Sequence, residues 1–410
     1  MDKKNDPMIR FHNYKELWEC DRLKNIFRTI RNAYVGTATP YYVEKGHFYL
    51  ESNNVKNGKI NYNSQIFIND EFYEKQRDKW LKTNDIVMVQ SGHVGHTAVI
   101  PKELNNTAAH ALIVFTDYKK EVIPHFLNYQ FQSSSKRKEL DLISTGNTIK
   151  HILASEMKSF KMDFPTIEEQ SAIGSLFCTL DDLLVSYKDN LANHQSLKAT
   201  MLSKMFPKAG QTVPEIRLDG FEGEWELLEV NDLADDFQSG GTPKTNVQEY
   251  WDGDIPWIQS SDLETNCLFE IKVQKSISEK GLKNSSAKII PKDSIAVVTR
   301  VGVGKLVVMR HEYATSQDFL SLSNLKSNIE FTAYLLYRLL QKEVTQLQGT
   351  SIKGITKVEL LSKKVLIPSL LEQQAIGAYF SNLDNLINSY QEKISQLETL
   401  KKKLLQDMFI

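Results

Sequence analysis

Hydrophobic positions along the chain fall into two regimes, and each regime occurs twice. Short apolar runs bounded by Gly, Asn and Pro predict strands at Ile66–Ile68, Ile86–Val89, Leu112–Phe115, Ile255–Ile258 and Ile295–Val298. An apolar stretch of helical period follows each set, His125–Phe131 in one and Phe331–Leu340 in the other. Then comes a much longer stretch with apolar residues every three or four positions. In the first it passes through Ile173, Leu176, Leu180, Leu183, Tyr187, Leu191, Leu197 and Met201. In the second it passes through Ile376, Tyr379, Leu383, Leu386, Tyr390, Ile394, Leu400 and Leu404. This is the spacing of a coiled-coil seam, and it predicts a long helix from about Ile167 to Met205 and a second one like it. Pro165 and Pro368 open the helices, and Glu168, Glu169 and Glu372 favour their positive ends. Lys198 and Lys401–Lys403 suit the opposite ends, and Pro207 closes the first helix.

The two halves are copies. Gly146–Phe206 lies over Gly349–Phe409 without a gap at an offset of 203 residues. From Pro165 to Phe206, 17 of 42 positions are identical, so the second helix repeats the first residue by residue. Upstream the offset drifts. Ile9-Arg10, Tyr14 and Trp18-Glu19 meet Ile216-Arg217, Phe221 and Trp225-Glu226 at 207, and Ile86–Val89 meets Ile295–Val298 at 209. The chain is therefore expected to be α+β: two mixed α/β domains separated by two long helices, with an internal pseudo-twofold repeat. The expected spans are 1–164, 165–207, 208–367 with a linker over 208–215, and 368–410. Near-identical seams are expected to pack on each other as an antiparallel coiled coil, because an isologous contact buries the same patch on both copies.

Composition narrows the class. Apolar residues make up 41% and charged residues 25%, ordinary for a soluble chain, and no run reaches the ~20 apolar residues of a membrane span. The charged N-terminus is followed by no apolar h-region, so no signal peptide is expected. Cys20, Cys178 and Cys267 are too few and too scattered for a disulfide framework or a zinc knuckle, which suits a reducing cytoplasm. A formal net charge of −1 excludes DNA binding by general phosphate neutralisation alone. Either any nucleic-acid contact is local and base-reading, or partner subunits supply part of the phosphate grip.

Several motifs together resemble a known family. They are the Gly-Thr/Asn-x-Ile-Lys segments Gly146–Lys150 and Gly349–Lys353, the Pro-x-x-x-Glu-Gln-x-Ala-Ile-Gly helix start, Gly240-Gly241-Thr242-Pro243, and Tyr250-Trp251-x-Gly253-Asp254-Ile255-Pro256-Trp257-Ile258. On these the chain resembles the DNA-specificity subunit of bacterial Type I restriction–modification systems over nearly its whole length. The first half departs from the Gly-Gly and Trp-pair opening, with only Thr39-Pro40 in place of Thr242-Pro243. The resemblance implies two target-recognition domains, each reading one half of a bipartite double-stranded DNA site. It implies helices that space the domains and dock two DNA-methyltransferase subunits, with two motor-nuclease subunits added in restriction complexes. It implies no catalysis and no cofactor.

Two rival readings rest on the residues themselves. One is a nuclease, since Asp262 and Glu270-Ile271-Lys272 match an Asp…Glu-x-Lys pattern, although the first half lacks the acid. The other is a purely structural helical scaffold. No P-loop, His-Glu-x-x-His or Gly-x-Ser-x-Gly motif occurs. His93 and His96 have metal-ligand spacing but no third ligand nearby, so a polar turn is expected instead. Candidate DNA contacts are polar or basic residues at equivalent turns of the two halves, because such side chains read base edges or hold phosphates. They are Gln90, Ser91, His93 and His96 against Thr299, Arg300 and Lys305; Thr39, Lys45 and His47 against Thr242 and Lys244; Gln259 and Ser260; and Asn147 and Lys150 against Thr350, Ser351 and Lys353. Lys136, Arg137 and Lys138 add a basic run for phosphates.

Overall fold

The computed structural model describes residues 6–146, 150–346 and 354–410. The chain forms two compact units, Met1–Lys188 with Glu392–Ile410, and Asp189–Gln391. The division cuts each long helix midway, so each unit contains a piece of the other repeat's helix.

Both units are built on the same antiparallel four-stranded sheet. In the first its order is Phe27–Asn32, Leu112–Tyr118, Ile86–Val89, Thr97–Val99; in the second it is Ala234–Ser239, Phe319–Leu325, Ser294–Val298, Leu306–Met309. Register is shared: Leu112 lies opposite Val89 and Phe115 opposite Ile86, as Phe319 lies opposite Val298 and Leu322 opposite Ile295. The central strands are buried on both faces, which explains why they read as unbroken apolar runs. Asn84 and Asp293 turn the chain into them with φ of 70° and 57°, a conformation that short polar side chains tolerate. A smaller mixed sheet accompanies each core. In the first unit it joins Ala108–Ala109, His47–Leu50, Ile66–Ile68 and Tyr42–Val43; in the second it joins Lys275–Ile277, Trp251–Ile258 and Ala314–Thr315.

The long helices span Ile167–Lys204 and Leu370–Asp407, 38 residues each. Their shared opening motif fastens each helix to its own domain. Gln170 donates to the Pro165 carbonyl (2.9 Å) and accepts from the Ile123 amide (3.2 Å). Gln373 donates to Pro368 (2.9 Å) and accepts from Asn328 (2.9 Å) in the same way. The glycine four residues on is a close-approach residue. A Cβ on Gly174 would sit 3.3 Å from the Phe126 nitrogen, and one on Gly377 would sit 3.0 Å from the Phe331 nitrogen.

Within each unit the two helix segments run antiparallel, as the seam predicts. In the first, Asp181 meets Lys401 (2.5 Å) and Lys188 meets Glu398 (2.6 Å). In the second, Asp384 meets Lys198, and His194 packs on the Tyr390 ring. Buried Tyr129 donates to Asp181 (2.8 Å), and Tyr334 donates to Asp384 (2.7 Å), so each unit holds a tyrosine–aspartate–lysine latch. Burial, reinforced by the adjacent carboxylate, pushes both phenols up and keeps them as donors.

The seam differs from the expected one in detail. Ile173, Leu180, Ile376 and Leu383 are buried, and Tyr187 and Tyr390 are half-buried. Leu183 and Leu386, however, are 41% and 47% exposed, and Leu184 and Ile387 take the buried positions instead. The phase follows Ile173, Phe177, Leu180 and Leu184, a regular 4–3–4 spacing that places Leu183 one residue off the stripe. Phe177 and Phe380, absent from the expected seam, are fully buried at its centre.

Candidate nucleic-acid interface

Sequence-distant candidates converge at the end of the sheet's second inner strand in each unit. In the first unit, the turn after Ile86–Val89 is laced to the stretch beginning at Lys150. The Gly92 amide donates to the Lys150 carbonyl (3.2 Å), the Ile152 amide donates to Gln90 (3.0 Å), and Ser91 bridges His151. Gln90 and Ser91 are half-buried and His93 is exposed, while Lys150 reaches Asp141 (2.9 Å). In the second unit the counterpart of His151 is Gly354. A Cβ there would lie 2.5 Å from the Thr299 carbonyl and 3.0 Å from the Arg300 Cα, so only glycine admits this approach. The result is a groove of about 830 Å³ lined by Thr299, Arg300, Gly302, Gln317, Gly354 and Lys357, among others. Arg300 is exposed at its edge. Gln317, which sequence reasoning missed, accepts from the Thr242 hydroxyl (2.5 Å) and so ties the early loop to the groove. No sequence pattern marks it: buried Ser316 separates it from the short strand Ala314–Thr315.

Several candidates also make contacts within the fold. Lys136 is 5% exposed and pairs with Asp163 (2.8 Å) and Glu139 (3.2 Å). Burial alone would disfavour its charge, but Asp163 and Glu139 outweigh it and hold the ammonium protonated. Lys136 shares a helix face with buried Leu140 four residues on, which is why a run that looks solvated turns one lysine inward. Arg137 is half-buried and donates to His96 Nδ1 (3.2 Å), leaving Lys138 as the exposed member of the run. His96 also accepts from the Asn57 amide (3.2 Å); burial, Arg137, His93 and Lys56 lower its pKa to about 4, so it is neutral near pH 7. Lys305 staples the Ser260 (3.4 Å) and Leu263 (2.7 Å) carbonyls. Thr299 is buried and donates to the Asp318 carbonyl (3.0 Å). The Gln259 amide is held by Asp262 (3.2 Å).

Thr39 and Lys45 are exposed, and His47 is stacked on Tyr73 and bound to Asp70 (2.9 Å), all in or beside the smaller sheet. Lys244 is exposed in a loop whose carbonyl holds the Trp251 indole (3.2 Å). Asn147, Thr350, Ser351 and Lys353 lie outside the described residues. The acidic pattern does not form a nuclease centre: Asp262 caps its own turn, and Glu270 accepts from Asn388 (3.1 Å). No group of three or more potential metal ligands occurs among the described residues.

A polar-lined strand-end turn, built twice on a common frame with different residues, defines a duplicated protein. The Type I restriction modification DNA specificity domain matches residues 16–193 and again 222–399, so the chain belongs to that family and carries its domain twice. A Methanocaldococcus jannaschii protein, the putative type I restriction enzyme MjaX specificity subunit, is 21% identical over 95% of this chain and 92% of its own length. The MjaIX specificity subunit of the same organism is 28% identical over 46% of this chain, and the chain spans only 44% of that protein. The crystal structure of the Type I restriction–modification S subunit from M. genitalium superposes with a TM-score of 0.64 at 16% identity, covering 99% of both chains. A chain from a study of type I complex assembly and conformational transition superposes at 0.54 and 17% identity, covering 96% of this chain and 97% of that one. Both confirm the fold. Members of this family are DNA-recognition subunits, not catalysts, and act with DNA and methyltransferase subunits. No helix among the described residues is long and apolar enough to cross a membrane.

Proposed function

We propose that each unit reads one half of an asymmetric, split DNA site, and that the two halves of the site differ in sequence. One observation carries this reading. The two sheets share register, yet Gln90, Ser91 and His93 stand in one unit where Thr299 and Arg300 stand in the other. A frame kept constant beneath changed polar residues is what two readers of different base sequence require. The unbroken helices hold the readers at a set separation, which fixes the spacer between half-sites. Two methyltransferase copies dock on repeat-related helix surfaces, where Leu183 and Leu386, and Leu197 and Leu400, stay 40–47% exposed at the 203-residue offset. Two motor-nuclease subunits join when the complex restricts DNA, and the assembly works in the cytoplasm.

The decisive experiment exchanges residues 1–164 for those of a relative and sequences methylated DNA from cells carrying the complex. The expected outcome is a bipartite motif in which one half changes and the other persists. An unchanged motif, or the loss of both halves in a folded complex, refutes the reading. Within the second groove, Arg300→Ala is expected to cost about 1–3 kcal/mol of DNA affinity and to relax selectivity in one half-site only. Competition binding with oligonucleotides substituted in each half-site separately measures this.

A further inference from the structure

The first unit carries a groove of about 670 Å³ between its recognition domain and the paired helix segments, outside the reading turns. Six cationic side chains line it, Lys56, Lys59, Arg137, Lys188, Lys401 and Lys402, against two acids, Asp181 and Glu398. Two of the six are neutralised, Lys401 by Asp181 (2.5 Å) and Lys188 by Glu398 (2.6 Å), and Lys59 stands 3.9 Å from Asp181. Among the described residues no ion pair holds Lys56, Arg137 or Lys402. In a chain of net charge −1 this is a local excess of unpaired cations. Arg137 is half-buried, and burial lowers its pKa, so its guanidinium is held at a cost that an anion would offset.

The groove is continuous with the candidate reading turn. Neutral His96 is the joint: its Nδ1 accepts both the Arg137 guanidinium and the Asn57 amide, and both residues line the groove. Among the described residues the second unit keeps the Asp384–Lys198 pair, the counterpart of Asp181–Lys401, but differs at other helix positions. At the 203-residue offset Lys402 becomes Ala199, Lys188 becomes Gln391 and Val185 becomes Asn388. There Asn388 donates to Glu270 (3.1 Å), and Tyr337 donates to Asn266 (2.8 Å), so the segment around buried Leu268 covers the helix face that the first unit leaves open.

We infer that this groove is a one-sided, sequence-independent clamp for the DNA backbone beside the half-site read by the first unit, with Lys56, Lys59, Arg137 and Lys402 facing phosphates and His96 acting as a positioning residue. The inference rests on the reading of the chain as a DNA-recognition subunit. Continuity with the reading turn favours DNA over an acidic protein surface, because a duplex held at that turn continues past it on a strongly anionic backbone.

The test uses the full chain assembled with its methyltransferase subunits, binding a duplex that carries its methylation motif across a salt series. The variant Lys56→Gln/Lys59→Gln/Lys402→Gln removes exposed or rim cations without touching the reading turn. Its affinity is expected to fall on the order of tenfold or more, and its salt slope to shrink by about 0.9 per lost phosphate contact, with the preferred sequence unchanged. Ethylation interference on the wild type should mark phosphates beside the first unit's half-site and not the other. His96→Ala should reproduce part of the slope loss. Full slope in a variant of a sequence-selective wild type overturns the clamp. So does a variant that binds DNA normally but no longer holds methyltransferase, which would give the groove to a protein partner. A wild-type complex with no sequence preference instead overturns the DNA reading itself.

Discussion

Phe409→Ala is expected to destabilise the first unit by about 3–5 kcal/mol and to leave the second nearly unchanged. Phe409 lies one residue from the chain's last position, yet its ring packs against Trp18 (6.4 Å), Phe126 (5.6 Å) and Phe177 (5.7 Å) in the first unit's core. The surrounding backbone is tied there too: the Ile9 amide donates to the Asp407 carbonyl (2.9 Å), and the Ser135 hydroxyl donates to Ile410 (2.8 Å). Removing the ring leaves a cavity walled by three large aromatics already fixed by other contacts, so little collapse is available to fill it. Phe206 is the repeat counterpart and enters the second unit, against Trp225 (5.9 Å), Phe331 (5.6 Å) and Phe380 (6.2 Å). Hydrogen exchange read peptide by peptide separates the two effects. Phe409→Ala should lose protection over Trp18–Phe164 and keep it over Trp225–Ile367, and Phe206→Ala should do the reverse. Loss in the same unit for both variants would show that the helix ends do not belong where the structure places them.

This exchange marks the limit of what the sequence could show. The 203-residue offset made the repeat, the paired long helices and their antiparallel packing legible, because a seam and its copy are patterns within one dimension. Which core receives Met205-Phe206 and which receives Met408-Phe409 is not such a pattern. Both cores offer the same three partners, Trp18, Phe126 and Phe177 in one and Trp225, Phe331 and Phe380 in the other. Helix length bears on the choice: a 38-residue helix is about 57 Å long, too long for the residue at its far end to fold back into the core at its start. The candidate site was legible in part for a related reason. Polar residues at strand ends could be matched between copies, which located the turns at 90–96 and 299–305. Their roles depended on which neighbours came close in space. Lys305 and Thr299 spend their polar atoms on backbone carbonyls, and Lys136 spends its charge on Asp163, so these three hold the loops while Arg300 and His93 remain exposed. Gln317 entered only through its bond to Thr242, 75 residues away.

Glu169→Ala is expected to cost about 3–5 kcal/mol, as much as the aromatic deletion and through a different mechanism. Glu169 sits in the first turn of the first long helix with its side chain fully buried, and it receives Arg10 through two parallel bonds of 2.8 Å. That bidentate contact, more than the opposing desolvation, raises the Arg10 pKa. The same guanidinium donates to the Glu16 carbonyl (2.5 Å), so one side chain gathers the N-terminal segment onto the helix start. The second unit repeats the clamp with Arg217 on Glu372 (2.8 and 2.7 Å) and on the carbonyls of Glu222 and Gly223. Deleting the carboxylate leaves a guanidinium only 12% exposed without its buried partner, holding only the exposed Asp6 carboxylate (2.7 Å), and the loss is dominated by the charge uncompensated at its inner face. The sign of the double variant therefore discriminates. Arg10→Met/Glu169→Leu removes both charges and should recover most of the stability that Glu169→Ala loses, since a buried ion pair is often replaceable by apolar packing. Urea unfolding followed by the exchange of first-unit peptides gives each value. A double variant as unstable as the single one would mean that the clamp's geometry, and not its electrostatics, holds the N-terminal segment to the helix.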